Sequence, residues 1–265
     1  MANMYTTNAL VLRRISIREV DRLVVLYTSD YGKIEATVQG GSKIVSKLAG
    51  HLEPYSVVRV TIVNTRRGER VIGASLIKNY PRIISSLRTK AYADLVTELA
   101  DRLTRTRLPD QAIWRLIGQT WAALNRQRNG TVADEQKMLL IVTAYLLKLL
   151  SLLGYGLEME HCQRCERILP AMGNRLSLER GGAICQACQR LMPEWGGQTV
   201  PVTLFKLLRY LIRQSYAQIA AVKITHTQAR HLADWRDSVI SHHLDKPPRS
   251  LTFLQAMAAA KKSGK

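Results

Sequence analysis

No stretch of the sequence approaches the roughly 18 consecutive apolar residues of a membrane-spanning helix. The longest candidate, 138–153, is broken by Lys148 and carries Thr143 and Ser151. The N-terminal segment has no apolar core of the kind a secretion signal needs. Together these absences predict a soluble, cytoplasmic protein with no membrane partner. Acidic side chains are scarce, at 20 Asp+Glu against 39 Lys+Arg, for a formal net charge of +19. Charge of that size does not choose a fold but does choose partners, nucleic acid first and an anionic surface second. Catalytic signatures are missing as well: there is no G-x-x-x-x-G-K-[ST], G-x-G-x-x-G, G-x-S-x-G or H-E-x-x-H. Gly40-Gly41-Ser42-Lys43 lacks the first half of a phosphate loop and reads as a basic loop able to touch phosphates. With no nucleophile, base or carboxylate cluster for Mg²⁺, the chain is not expected to be an enzyme. Internal repeats and low-complexity segments are also absent.

Cysteine is limited to four residues, and their spacing is specific. Cys162-Gln163-Arg164-Cys165 is followed, after nineteen intervening residues, by Cys185-Gln186-Ala187-Cys188. Two C-x-x-C knuckles at such a separation match a zinc ribbon. Each knuckle turns two thiolates towards one point, and a hairpin between them completes a tetrahedron. Pro170, Gly173-Asn174 and Gly181-Gly182 supply its turns. Four thiolates leave no open coordination position, so Zn²⁺ bound by Cys162, Cys165, Cys185 and Cys188 would be structural. Two disulfides would suit a secreted chain instead. His161 is surplus to the four and reads as an outer or solvent-facing residue. His226, His231 and His242 are not spaced as a metal set.

Residues 1–80 read as β-structure. Ala9–Leu12, Leu23–Tyr27, Ile34–Val38, Tyr55–Val63 and Arg70–Ile77 are short apolar or alternating runs. Arg13–Glu19 and Asp30–Lys33 read as turns, and Gly40–Gly50 as a loop. Strand counting admits an OB-fold, an SH3-like barrel or a small sandwich. Past Pro81 the period becomes helical. Helices are expected over Arg82–Arg107, Gln111–Arg128 and a strongly apolar Thr131–Leu153, then, beyond a zinc module at about 158–193 and a Pro193–Gln198 link, over Val202–Ala220, Thr227–His243 and Arg249–Lys262. Glu98–Arg102, Asp101–Arg105 and Asp234–Arg236 read as solvated ion pairs. The charge is uneven: residues 1–80 hold 12 basic and 6 acidic side chains (+6), 81–160 hold 11 and 8 (+3), and 161–265 hold 16 and 6 (+10). In the barrel segment Tyr5, Tyr27, Tyr31 and Tyr55 are interleaved with basic residues, the mixture used for base stacking beside a phosphate track.

The order Glu19–Thr28, Tyr31-Gly32-Lys33, Gly40–Lys43, Leu52-Glu53-Pro54-Tyr55, Leu152–Tyr155, Gly181–Cys185 and Ser250-Leu251-x-Phe253-Leu254 resembles the RecO family of bacterial recombination mediators over nearly the whole chain. The segment 82–128 carries no matching motif. The resemblance implies an α+β chain: a five-stranded OB-fold barrel over 1–80 for DNA binding, then a helical domain over 81–265 with the inserted four-cysteine zinc hairpin. It implies binding of single- and double-stranded DNA and annealing of complementary strands, including strands coated with single-stranded-DNA-binding protein (SSB). It also implies loading of RecA together with RecR and RecF, in a nucleoid-associated protein of the RecFOR repair pathway. On the family's pattern the DNA-binding residues are Arg13, Arg14, Lys33, Lys43, Lys47, Arg66 and Arg67. Lys206, Arg209 and Arg213 are candidates for docking the SSB tail. The alternative is a general single-strand-binding or SSB-tail adaptor protein without annealing activity.

Overall fold

The computed structural model describes residues 4–17, 21–39, 50–128 and 130–263, apart from the side chains of 261–263. Two compact units make up the chain, Met1–Arg126 and Gln127–Lys265.

In the first unit, β1 (Met4–Ser16), β2 (Arg22–Thr28), β3 (Gly32–Val38), β4 (Ser56–Thr65) and β5 (Gly68–Asn79) close into a barrel in the order β1-β2-β3-β5-β4. β1 runs antiparallel to both β2 and β4, and β3 meets β5 in parallel at Ala36↔Glu69 and Thr37↔Arg70. This is the OB-fold barrel. Period-2 alternation fills it, with Ala9, Val11, Val24, Leu26, Ile34, Ala36, Val58, Val60 and Ile62 fully buried. β1 is longer than its apolar run because a bulge between Val11 and Arg13 lets the ladder continue through Ser16, into the stretch expected to be a turn.

Three helices complete this unit: α1 (Pro81–Ile84), α2 (Leu87–Leu103) and α3 (Gln111–Arg126). The single helix expected over Arg82–Arg107 is divided at Ser85-Ser86. The Ser86 hydroxyl accepts from the Thr89 amide and starts α2 afresh as its N-cap. Residues 104–107 return to the barrel, where the Arg107 amide donates to the Lys33 carbonyl at 2.9 Å. α3 places Trp121 edge-on to Tyr55 and Tyr80, with ring centroids 5.8 and 6.1 Å away.

In the second unit, α4 (Val132–Leu152) is opened by a Thr131–Asp134 capping box. Every residue from Met138 to Leu147 is buried, so the helix is apolar all round and central. The cysteine segment forms a small sheet, β7-β6-β8, from β6 (Arg175–Ser177), β7 (Gly182–Ile184) and β8 (Gln198–Thr199), with α5 (Gln186–Leu191) after β7. The expected Pro193–Gln198 link is therefore part of the module. Gly196 and Gly197, at φ +76° and +75°, swing the chain back onto β6, and a Cβ on Gly197 would collide with the Leu176 carbonyl.

α6 (Val202–Arg213), α7 (Tyr216–Ala221), α8 (His226–His243) and α9 (Arg249–Ser263) follow. The helix expected over Val202–Ala220 breaks at Gln214-Ser215. Ser215 and Gln218 form a capping box for α7. Lys148 on α4 donates to the Gln214 carbonyl at 2.6 Å, with its ammonium 5.0 Å from the centre of the Tyr216 ring. A cation thus satisfies the C-terminal end of α6. No helix among the described residues is long and apolar enough to cross a membrane.

Candidate functional site

The four cysteines converge. None is in a disulfide, and the sulfurs of Cys162, Cys165, Cys185 and Cys188 all lie within 4.8 Å of one another. A tetrahedron with metal–sulfur bonds of about 2.3 Å needs sulfurs roughly 3.8 Å apart, and Cys165 and Cys185 stand at 3.9 Å. The set fits one metal ion.

Local backbone geometry builds each half. In the first knuckle the Glu166 amide donates to the Cys162 carbonyl and the Cys162 amide to the Arg167 carbonyl, both at 2.9 Å. Glu166 takes φ +58° to close the turn. In the second, Cys185 precedes α5 and Cys188 lies within it. β7 passes beneath the first knuckle, joined by Gln163 N–H to Ala183 C=O at 3.0 Å and Ala183 N–H to Glu158 C=O at 2.9 Å. That approach requires glycine at 182, where a Cβ would lie 2.8 Å from the Glu158 carbonyl oxygen.

Burial pushes the Cys162 thiol up. The amides of Cys165, Cys185 and Arg164 point at its sulfur and outweigh burial, so its pKa falls to about 6. Burial, then the neighbouring cysteines, push Cys188 up to about 12. Four thiols packed this closely cannot all ionise without a cation at their centre, which is the electrostatic situation a metal resolves. His161 lies outside the four-sulfur set, half-exposed, with Nδ1 3.7 Å from Glu158.

The barrel candidates separate by environment. Arg66 and Arg67 form the exposed β4–β5 turn, where Gly68 takes φ +107°. Arg13 is exposed on β1, with Nη2 3.0 Å from the Asp101 carboxylate. Arg14, mostly covered, pairs with Glu53. Lys33 is largely covered: its side chain is only 11% exposed, with Nζ on the Asp101 backbone carbonyl and 3.4 Å from its carboxylate. It ties β3 to α2 and does not face solvent. Asp101 is therefore the partner of Arg13 and Lys33, where the sequence paired it with Arg105. Arg236 likewise pairs with Asp237 and not Asp234, whereas Glu98–Arg102 stands as expected at 3.9 Å. Lys43 and Lys47 lie outside the described residues.

Of the four tyrosines, Tyr27 and Tyr55 are buried. Burial, then a hydrogen bond to Asp94, raises the Tyr55 pKa. Tyr5 and Tyr31 are partly buried, packed against the barrel core and ring against ring at 4.3 Å. Two residues missed in the sequence join them: Glu69, which accepts from the Tyr5 hydroxyl, and Arg107, which pairs with Glu69 and lies 5.9 Å from the Tyr5 ring centre. Arg107 had no periodic signature, since it follows α2 in irregular chain at φ +63°.

On α6, Lys206, Arg209 and Arg213 follow i, i+3, i+7 spacing along one stripe. Lys206 is exposed. Arg213 is 60% exposed, with Nη2 3.1 Å from Glu160. Arg209 is turned inward, donating to the carbonyls of Met159 and Leu169.

A closed five-stranded OB barrel with a basic, partly aromatic surface, followed by a helical unit that carries a four-cysteine centre, defines an OB-fold protein of two parts. The comparisons identify which one. The family model for the recombination protein O N terminal matches residues 1–80, and that for the recombination protein O C terminal matches 84–252. A DNA repair protein RecO of Dehalococcoides mccartyi strain 195 is 30% identical over 257 residues, covering 97% of both chains. One from Roseiflexus sp. RS-1 is 30% identical over 95% of this chain and 85% of its own, and one from Geobacter metallireducens 28% identical over 94% and 96%. The chain belongs to the RecO family. Its role accordingly lies in DNA repair and recombination.

Proposed function

We propose that the protein binds single- and double-stranded DNA, anneals complementary strands, including strands coated with SSB, and helps load RecA together with RecR and RecF. The observation that carries most weight is the match of both halves of the chain to the family, at nearly full length, with relatives named as DNA repair proteins. Annealing is opposed by repulsion between two polyanions. Cationic surface in the barrel, centred on Arg13, Arg66 and Arg67, and in the carboxy-terminal half can each take a strand and screen that repulsion. The part of the Tyr5–Tyr31 pair left uncovered supplies ring edge for bases, with Arg107 beside it.

The four cysteines hold Zn²⁺, which fixes the hairpin against the helices of its own unit. Because they leave no open coordination position, the ion plays no part in bond-making, and the protein acts without catalysis. Lys206 and Arg213 on α6 take the acidic SSB tail. Arg209, with its guanidinium engaged elsewhere, is left out of that surface.

The test is annealing of two complementary labelled strands, each pre-coated with SSB, over a salt series. Acceleration that fades as salt rises is expected, because each phosphate contact releases counterions. Tight binding without acceleration would leave a passive single-strand-binding module. Binding of an SSB-tail peptide without DNA binding would leave an adaptor.

A further inference from the structure

The first knuckle is held by a side chain far along the sequence. Arg209 lies on α6, 50 residues beyond Met159 and 40 beyond Leu169. Its Nε donates to the Met159 carbonyl at 2.8 Å, and Nη2 donates to that same carbonyl and to Leu169 C=O at 3.1 Å. Met159 stands three residues before Cys162, and Leu169 stands four after Cys165. The two segments run back to back, with Leu169 N–H on Glu160 C=O at 2.7 Å and Cys162 N–H on Arg167 C=O at 2.9 Å. The guanidinium therefore clasps both ends of the loop that presents two of the four sulfurs.

We propose that Arg209 is a positioning residue for the metal centre, holding the first knuckle closed so that Cys162 and Cys165 keep their binding geometry. The inference rests on the four cysteines taking a metal, as read above. Met159 and Leu169 are each 2% exposed, so loss of Arg209 would leave their carbonyls buried with a donor removed. The arginine is itself fixed in place: its side chain is 18% exposed, its guanidinium lies 4.6 Å from the Phe205 ring centre, and Nε is 3.5 Å from Glu160. Lysine has one point charge where two carbonyls need a planar fork, so it is a poor substitute. Residues that orient metal ligands typically change affinity about 10–100-fold when removed. Among the described residues, the hydrogen bonds donated by the Arg209 side chain land on this knuckle's backbone, at the Met159 and Leu169 carbonyls.

The experiment loads the full chain with zinc and follows its release to a colorimetric chelator, well below the melting temperature. The proteins are wild type, Arg209→Ala, Arg209→Lys and, as a control, Leu208→Ala, which removes a buried side chain from the same helix and leaves the Arg209 guanidinium in place. Release from Arg209→Ala is expected to be about tenfold faster or more, with Arg209→Lys between it and wild type. Far-UV circular dichroism should be unchanged. Leu208→Ala should melt earlier yet release zinc more slowly than Arg209→Ala. Release from Arg209→Ala at the wild-type rate, or no faster than from Leu208→Ala, would overturn the inference while leaving the zinc reading intact. Should Arg209→Ala fail to fold, wild-type release from Arg209→Lys decides against it equally. Failure of wild type to retain zinc would sink the metal reading itself, and the positioning role with it.

Discussion

Asp101 holds Arg13 on one carboxylate oxygen and Lys33 on the other. This single residue explains why the basic side chains of the barrel could not be sorted from sequence. Lys33 lies in β3 and the Asp101 carbonyl that it reaches is 68 residues away on α2, so no local pattern linked them. The four cysteines were legible for the opposite reason: each C-x-x-C is a local turn, and its spacing already encodes where the sulfurs point. Arg66 and Arg67 were legible as a polar turn before Gly68 because turn chemistry is also local. Charge reversal of both is expected to weaken single-strand binding and flatten its salt dependence. The slope of log K against log salt should fall by roughly 0.7 per lost phosphate contact, read from fluorescence anisotropy at several salt concentrations. An unchanged slope would remove this turn from the DNA surface. Gly32 is constrained twice, by φ +68° and by the Leu108 carbonyl where a Cβ would stand. Gly32→Ala should cost roughly 2 kcal/mol or more in chemical denaturation.

Helices were correctly anticipated where periodicity was long, and their breaks were missed. Arg82–Arg107 and Val202–Ala220 each carry an unbroken apolar stripe, yet each is cut where a serine caps the next segment. Serine in a helical pattern is ambiguous, since its hydroxyl competes for backbone groups in either role. The choice is settled by tertiary contacts, above all Lys148 from α4 on the carbonyl that ends α6. Ser215→Ala should therefore destabilise the second unit by about 1 kcal/mol, seen as a lower denaturation midpoint with an unchanged slope. A change within error would mean that Lys148 alone fixes the break. Short apolar or alternating runs located all five barrel strands, but not their ends, because strand length depends on bulges and partner register that one strand cannot reveal.

At the scale of the molecule, the two family models meet between residues 80 and 84, whereas the first compact unit continues to Arg126. The extra helices bring Asp94 to the Tyr55 hydroxyl, Asp101 to Lys33 and Trp121 against Tyr55. These are partners for groups that the strands alone cannot satisfy. The order in which the chain is made gives this arrangement a temporal side. A ribosome adding about 5–20 residues per second would need roughly 2–9 s to synthesise residues 81–126 after the last barrel strand. Through that interval every strand of the barrel exists, while Lys33 and Tyr55 still wait for the helix residues that will cover them. A nascent barrel of this kind passes through a short interval in which surface that the finished protein conceals stays open to chaperones.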